Sequence, residues 1–310
     1  MGSYDDDTLP LQPPVRLPSE AELAAAVRTA PLAAEPLGDG GEIPADGADV
    51  LEAWFKRLGD EEGLLLEVVR RFLSPEPPEG DVPELLTGLG LVREAKPHAL
   101  TPLGLWAGRR IIAETTGQHI PITGSLADAD AATLLHGLRS YPEPERAEEL
   151  AGWLSGRDPD EAAAAIAAVL PEVSPLSRAV GVELLASDLG EAGRRSLDAL
   201  IGEPRVGAVV AARLGRDDRL PSADEIAWVL VDMASTLLEF GGETDEVIES
   251  VAKGMEPEDQ ASTIAILAFG DHPWTERVLR VFIDHHPDER VSAAARKALR
   301  RLHGLADVRG

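Results

Sequence analysis

The sequence predicts a mainly α-helical protein whose C-terminal two-thirds is an array of short antiparallel helices, and three observations carry that prediction. Apolar residues make up 44% of the 310 residues but aromatics only 4%, so the core has to be built from Ala, Leu, Val and Ile. Such side chains suit close helix packing, and strand signals are scarce. Gly-, Pro- and Asp-rich breaks recur at short intervals beyond residue 125, the cadence of stacked helical hairpins. Between the breaks, apolar residues return at spacings that share one helix face.

Residues 1–18 hold an acidic run and four prolines and are expected to be a flexible tail. Ser19 then caps a short helix running to about Arg28, with Glu22 three residues on completing a capping box. The Gly-, Pro- and Asp-rich stretch 30–47 reads as a linker, and 19–46 together as a short helix plus that linker. Its GDGG is not a phosphate cradle, because no Lys follows and no strand-then-helix context surrounds it.

From residue 47 two amphipathic helices are expected, Asp49–Leu58 and Glu61–Leu73, with Trp54, Phe55, Leu58, Leu65, Val68, Val69 and Phe72 facing a core. A Pro-rich break leads to a short helix, Val82–Gly88. Two short strands, Leu91–Arg93 and Ala99–Thr101, are expected around a turn, with a further helix starting near Pro102. Helix, helix, short helix, wing, helix is the order of a winged helix, and ALTPLG resembles the way bacterial winged-helix regulators leave the wing. Residues 47–124 are therefore expected to form a small winged-helix-like domain. DNA binding needs basic residues on the recognition helix and wing. The short helix carries only Glu84, the wing offers Arg93, Lys96 and His98 against Glu94, and eight bases face twelve acids over 47–124. Use of this domain for protein contact or packing is the favoured expectation.

Over 125–304 the breaks fall at Tyr141–Glu143, Gly156–Pro159, Pro171–Pro175, Ser187–Gly190, Gly202–Pro204, Gly215–Pro221, Gly241–Glu243, Glu256–Pro257, Gly270–Pro273 and His286–Pro287, leaving helices of roughly 11–16 residues. Apolar offsets of 0, +3 and +8 recur in Leu176/Ala179/Leu184, Val206/Val209/Leu214 and Val291/Ala294/Leu299. The segment 286–302 resembles the second helix of a HEAT repeat through Asp288, Val291, Ala294, Ala295 and Ala298–Leu299. It departs at Ser292, where HEAT repeats usually carry Arg. The resemblance implies a HEAT-like α-solenoid over 125–304, with 305–310 as a tail. Across most of its length the chain also resembles a group of uncharacterised proteins of high-GC bacteria. The matching residues are Val15–Pro18, Glu22–Leu23, Ala25–Arg28, Leu100–Ala107 and His285–Leu299; this resemblance implies architecture and no activity.

Composition narrows the functional classes. The formal charge of −26, from 55 acids and 29 bases, repels phosphate backbones and anionic membranes, so nucleic-acid partners are disfavoured. The absence of cysteine removes disulfides, thiolate nucleophiles, Fe–S clusters and the commonest structural zinc sites. No secretory pattern opens the sequence and no apolar run approaches the roughly 18 residues of a membrane-spanning helix, so a cytoplasmic protein is expected. The triplet Asp284-His285-His286 resembles a signature of manganese-dependent phosphoesterases, which need further Asp and His ligands. The nearest, His119 and Asp128/Asp130, do not match in spacing, and Asp271-His272 closes the preceding break in the same manner as the triplet. A capping role is favoured for both. No G-x-S-x-G elbow is present. The carboxylate pairs Glu148/Glu149, Asp217/Asp218 and Glu61/Glu62 read as solvated faces. Most of the five tryptophans read as core, with one or two free to anchor a partner.

One charge asymmetry remains. Residues 1–62 carry fourteen acids and four bases, whereas 284–310 carry six bases and four acids. Arg296, Lys297, Arg300 and Arg301 share one helix and are the candidate partner-binding residues, although cations complementing the helix dipole explain them as well. The expectation is a non-enzymatic protein-binding adaptor or scaffold with no cofactor, no metal and a protein partner. A DNA-associated transcriptional regulator stands second, and a metal-dependent hydrolase built on His272, His285 and His286 third.

Overall fold

The computed structural model describes residues 13–32, 47–58, 62–77, 82–216 and 221–309. The linker core with its GDGG, most of the acidic tail, Asp217/Asp218 and Glu61 lie outside the described residues. The described residues are mainly helical, with no strand longer than an isolated bridge, and no helix among them is long and apolar enough to cross a membrane. They divide into two compact units, an N-terminal one (10–125 and 140–148) and a C-terminal one (126–139 and 149–310).

The N-terminal unit holds α1 (Glu20–Thr29), α2 (Gly47–Leu58), α3 (Glu62–Leu73), α4 (Glu84–Gly88) and α5 (Pro102–Thr116). Ser19 and Glu22 form the reciprocal capping box at α1, and Thr101 accepts from the Gly104 amide with Pro102 opening α5. The expected core residues Trp54, Phe55, Leu58, Val68 and Phe72 are buried, while Leu65 and Val69 are half-buried against them. In place of two strands there is one antiparallel bridge, Val92 to Leu100, flanked by Arg93 N–H to the Ala99 carbonyl (2.9 Å) and Thr101 N–H to the Leu91 carbonyl (3.0 Å). The Ala99 amide donates to the Pro97 carbonyl (2.7 Å) and not across to Arg93, so the ladder goes no further.

Two boundaries differ from expectation. Residues 13–18 are not free tail: Val15 forms a parallel bridge with Ile122, and Arg16 pairs with Glu148. The tail expected at 305–310 is helical through Arg309.

Gly104 lies one turn into α5 where that helix meets the bridge, and a β-carbon there would overlap the Leu91 carbonyl oxygen. Backbone cannot yield as a side-chain tip can. Gly104→Ala is expected to destabilise the N-terminal unit by about 1–3 kcal/mol, read as a lowered urea midpoint with an unchanged slope.

The C-terminal unit contains α6 (Ala131–Leu138), the later part of α7 (Glu143–Leu154), α8 (Pro159–Val169), α9 (Pro175–Glu183), α10 (Gly190–Leu200), α11 (Gly207–Arg213), α12 (Ala223–Phe240), α13 (Thr244–Ala252), α14 (Pro257–Ile266), α15 (Thr275–His285) and α16 (Glu289–Arg309). The expected breaks separate these helices, several beginning on a side-chain cap: Asp130, Asp158, Ser174 and the Ser222/Glu225 box. At 187–190 the helix first widens into a π turn, Leu184–Asp188, before α10 begins. Lengths run from the 7 residues of α11 to the 18 of α12 and 21 of α16, a wider range than expected.

The recurring stripe also sits differently. Its first position is buried in all three copies (Leu176, Val206, Val291), but Ala179, Val209 and Ala294 at +3 are only half-buried. The +4 residues Val180, Val210 and Ala295 are buried instead. Each copy starts at a helix N-terminus, where a one-residue rotation moves the contact line by 100°.

α12 is the hub of this unit. It packs against α9, α11, α13 and α15 and against the short 3₁₀ turn Leu267–Phe269. Ala227, Val231 and Ala234 of its inner face join Val247, Val251, Leu267, Val278, Leu279, Phe282 and Val291 in one apolar cluster.

Candidate functional site

The inner face of α12 carries two buried carboxylates seven residues apart, Asp232 and Glu239. Glu239 accepts from the guanidinium of Arg139, from the Ser174 hydroxyl (2.6 Å) and from the Leu176 amide (2.9 Å) at the start of α9. Asp232 pairs with Arg178 of α9 and lies 3.2 Å from Nε2 of His272. Arg178 also donates to the Leu170 and Val173 carbonyls (2.9 and 2.8 Å). These are charge-assisted, nearly dehydrated contacts in which each acid meets several donors.

His272 itself is fully engaged. Its Nδ1 accepts from the Trp274 amide at 3.1 Å, which leaves Nε2 as the N–H that donates to Asp232. Burial pushes its pKa down, Asp232 opposes that shift, and Arg178 adds to it. Its ring stands edge-on to Trp228 with centroids 4.5 Å apart, and Arg178 lies over Trp228 at 4.8 Å. The buried charges thus hold Trp228 in a fixed orientation.

Trp228 floors an open cleft of about 310 Å³ at the N-terminal end of α12, lined also by Pro204, Arg205, Asp224, Glu225, Phe269, Gly270 and Asp271. Its carboxylates outnumber its one arginine, but Glu225 already caps α12 and the Trp228 and Phe269 rings are already met by Arg178 and Arg301.

Along the outer face of the same helix runs an apolar stripe. Ile226, Met233 and Phe240 are 38%, 42% and 63% exposed, with Leu230 and Leu237 half-buried between them. The steps are 4, 3, 4 and 3 residues, the spacing of a coiled-coil seam. Asp224 and Asp271 are exposed at the cleft, and Glu243, Asp245 and Glu246 are exposed where α13 follows α12.

The four basic residues picked out by sequence do not form one patch. Arg296 pairs with Glu289 on its own helix, while Lys297 and Arg300 are exposed. Arg301 lies over the Phe269 ring at 3.9 Å, which places it at the rim of the cleft. Among the described residues no three His, Cys, Asp or Glu side chains converge as metal ligands. His286 accepts the Asp288 amide at Nδ1 (3.1 Å) and meets Gln260 through Nε2 (3.0 Å). His272-Pro-Trp and His286-Pro-Asp therefore build the same turn twice, each ahead of a helix. Ser292 donates to the Phe282 and His286 carbonyls, so this departure from the HEAT pattern ties the end of α15 to the start of α16.

In the N-terminal unit several arginines face acids or carbonyls. Arg71 meets Glu67, Arg110 meets Glu52 and Glu114, and Arg109 meets the Ile120 carbonyl. Arg110 is held over Phe55 and Trp106 as well.

Comparison with family models, with curated proteins and with solved structures finds no match for this chain.

Proposed function

We propose that this chain is a non-enzymatic protein-binding adaptor or scaffold whose C-terminal unit, a HEAT-like helical array, presents the binding face. The observation that carries the reading is the exposed stripe Ile226–Met233–Phe240 on α12. Large apolar side chains aligned on one exposed helix face are a mark of an interaction site. The near-dehydrated ion pairs beneath favour a rigid support over a deforming one, and preorganisation reduces the ordering cost of association. The order of packing, with α8 on α10, α13 on α15 and α14 on α16, supports the repeat reading.

A DNA-associated regulator is the second reading, supported by the bridge Val92–Leu100 in its helix–helix–helix–bridge–helix setting. Against it stand the paired arginines and the acidic α4. Against the hydrolase reading stand His272 and His286, each of which accepts a backbone amide and holds a turn together.

Affinity purification of the tagged chain from its native cells, with and without nuclease, separates the two. The adaptor reading expects a stoichiometric protein partner that survives nuclease. Partners that vanish with the DNA would promote the regulator.

A further inference from the structure

We infer that Met233 is a modification site, and that its oxidation to methionine sulfoxide by a small hydroperoxide switches off docking on the exposed face of α12. The inference rests on the protein-binding reading above and supplies its regulation. The chain has no cysteine and three methionines, so reversible oxidation of sulfur is left to thioethers. Met1 lies outside the described residues, while Met233 and Met255 are 42% and 39% exposed, within reach of hydrogen peroxide. Met233 stands at the middle of the stripe. Ile226 and Phe240 flank it two turns away on either side, about 10.5 Å along the helix. Truncation effects in an interface concentrate near its centre, so the oxidisable atom occupies the position where a change matters most.

The peroxide alone balances the step. A sulfur lone pair takes one peroxide oxygen as the O–O bond breaks, and the sulfur is oxidised by two electrons. The other oxygen takes up the proton of the transferred one and leaves as water. An apolar thioether becomes a strong acceptor. In the free protein that oxygen faces water, so the fold is not strained. Under a docked partner it is sealed in, and the stripe offers it no donor. Ile226, Val229, Leu230, Leu237 and Phe240 carry none, and the Thr236 hydroxyl already donates to the Asp232 carbonyl at 2.9 Å. A buried acceptor without a donor keeps its whole desolvation cost. Docking in turn shields the sulfur, so partner and oxidant exclude each other. Leucine at this position keeps the apolar volume without the chemistry. Met255 is the internal control: it lies between α13 and α14, off the stripe, and its sulfur accepts from the Thr263 hydroxyl at 3.5 Å.

The test uses the full chain with a photoreactive phenylalanine analogue in place of Phe240. It is treated with hydrogen peroxide, freed of oxidant with catalase, and mapped by mass spectrometry. The readout is the yield of protein adduct in nuclease-treated extract of the native cells. Sulfoxide at Met233 is expected to lower that yield at least about tenfold, with the helical circular-dichroism signal and the urea midpoint unchanged. Met255→Leu should lose the adduct on oxidation as the parent chain does, whereas Met233→Leu should keep it. Methionine sulfoxide reductase should restore the adduct to the oxidised parent. Met233→Gln, polar and of similar length, should reproduce the loss without peroxide. Resistance of Met233 to peroxide while Met255 reacts overturns the inference. So does full adduct yield from chain carrying the Met233 sulfoxide, equal loss in Met233→Leu, or a lowered urea midpoint on oxidation of Met233, which would make the effect one of unfolding. In each of these cases the adaptor reading stands on the adduct of the untreated chain. An untreated chain that holds no protein partner removes that reading, and this inference with it.

Discussion

Glu239→Ala is expected to destabilise the C-terminal unit by about 3–5 kcal/mol, one of the two largest single-residue effects the structure supports. Glu239 is buried on the inner face of α12 and accepts from Arg139, Ser174 and the Leu176 amide. Truncation leaves a guanidinium whose side chain is only 3% exposed without its carboxylate and strips the start of α9 of an acceptor. An uncompensated buried charge dominates the loss, because lost packing of one carboxylate accounts for far less. Typical domains are stable by about 5–15 kcal/mol, so the variant should unfold well below the wild type in urea. The attribution has its own control. Arg139→Met with Glu239→Met removes both charges and keeps volume, and buried pairs exchanged in this way are often neutral or better. A double variant as unstable as Glu239→Ala alone would show that packing and the serine network, not the orphaned charge, set the effect.

The second large effect is on Asp232, which faces Arg178 and His272 together. Asp232→Ala leaves two buried groups that both lean on one carboxylate, and a loss of about 3–5 kcal/mol is expected again. His272 adds a pH signature. Its folded pKa is depressed by burial, so the unfolded chain takes up the proton first as pH falls below about 6.5. Stability is therefore fully present above that value and declines as pH drops towards the depressed folded pKa, by at most about 1.4 kcal/mol per pH unit. Asp232, Arg178 and Asp271 are the charged groups acting on the ring. Urea midpoints between pH 7 and 5 should fall for the wild type and fall less for His272→Gln, which keeps a donor and an acceptor but does not titrate. Parallel curves for the two proteins would assign the acid sensitivity elsewhere.

Much of the fold was legible because helix ends announce themselves locally. Ser19 with Glu22, Asp158 before Pro159 and Ser174 before Pro175 each state a start within four residues, and the expected core of α2 and α3 follows from one amphipathic period. α12 was not legible as a site. It is apolar on both sides, with Ala227, Trp228 and Val231 inward and Ile226, Met233 and Phe240 outward, so its periodicity does not say which face meets water. The 4-3-4-3 spacing was visible in the letters but could not be told from core. Asp232 and Glu239 in so apolar a helix were the better signal, since acids there need partners. Those partners, Arg178 and Arg139, lie 54 and 100 residues away in sequence, beyond the reach of any local rule. The basic run 296–301 was legible as charge, but pairing of Arg296 with Glu289 and stacking of Arg301 on Phe269 depend on the fold.

The most direct measurement is site-specific photo-crosslinking in the native cells, with a photoreactive phenylalanine analogue replacing Phe240 and, as control, Glu191 on the exposed side of α10. The account predicts a discrete, nuclease-resistant protein adduct from position 240 and none from 191. No adduct at 240, or the same adducts from both positions, would contradict it.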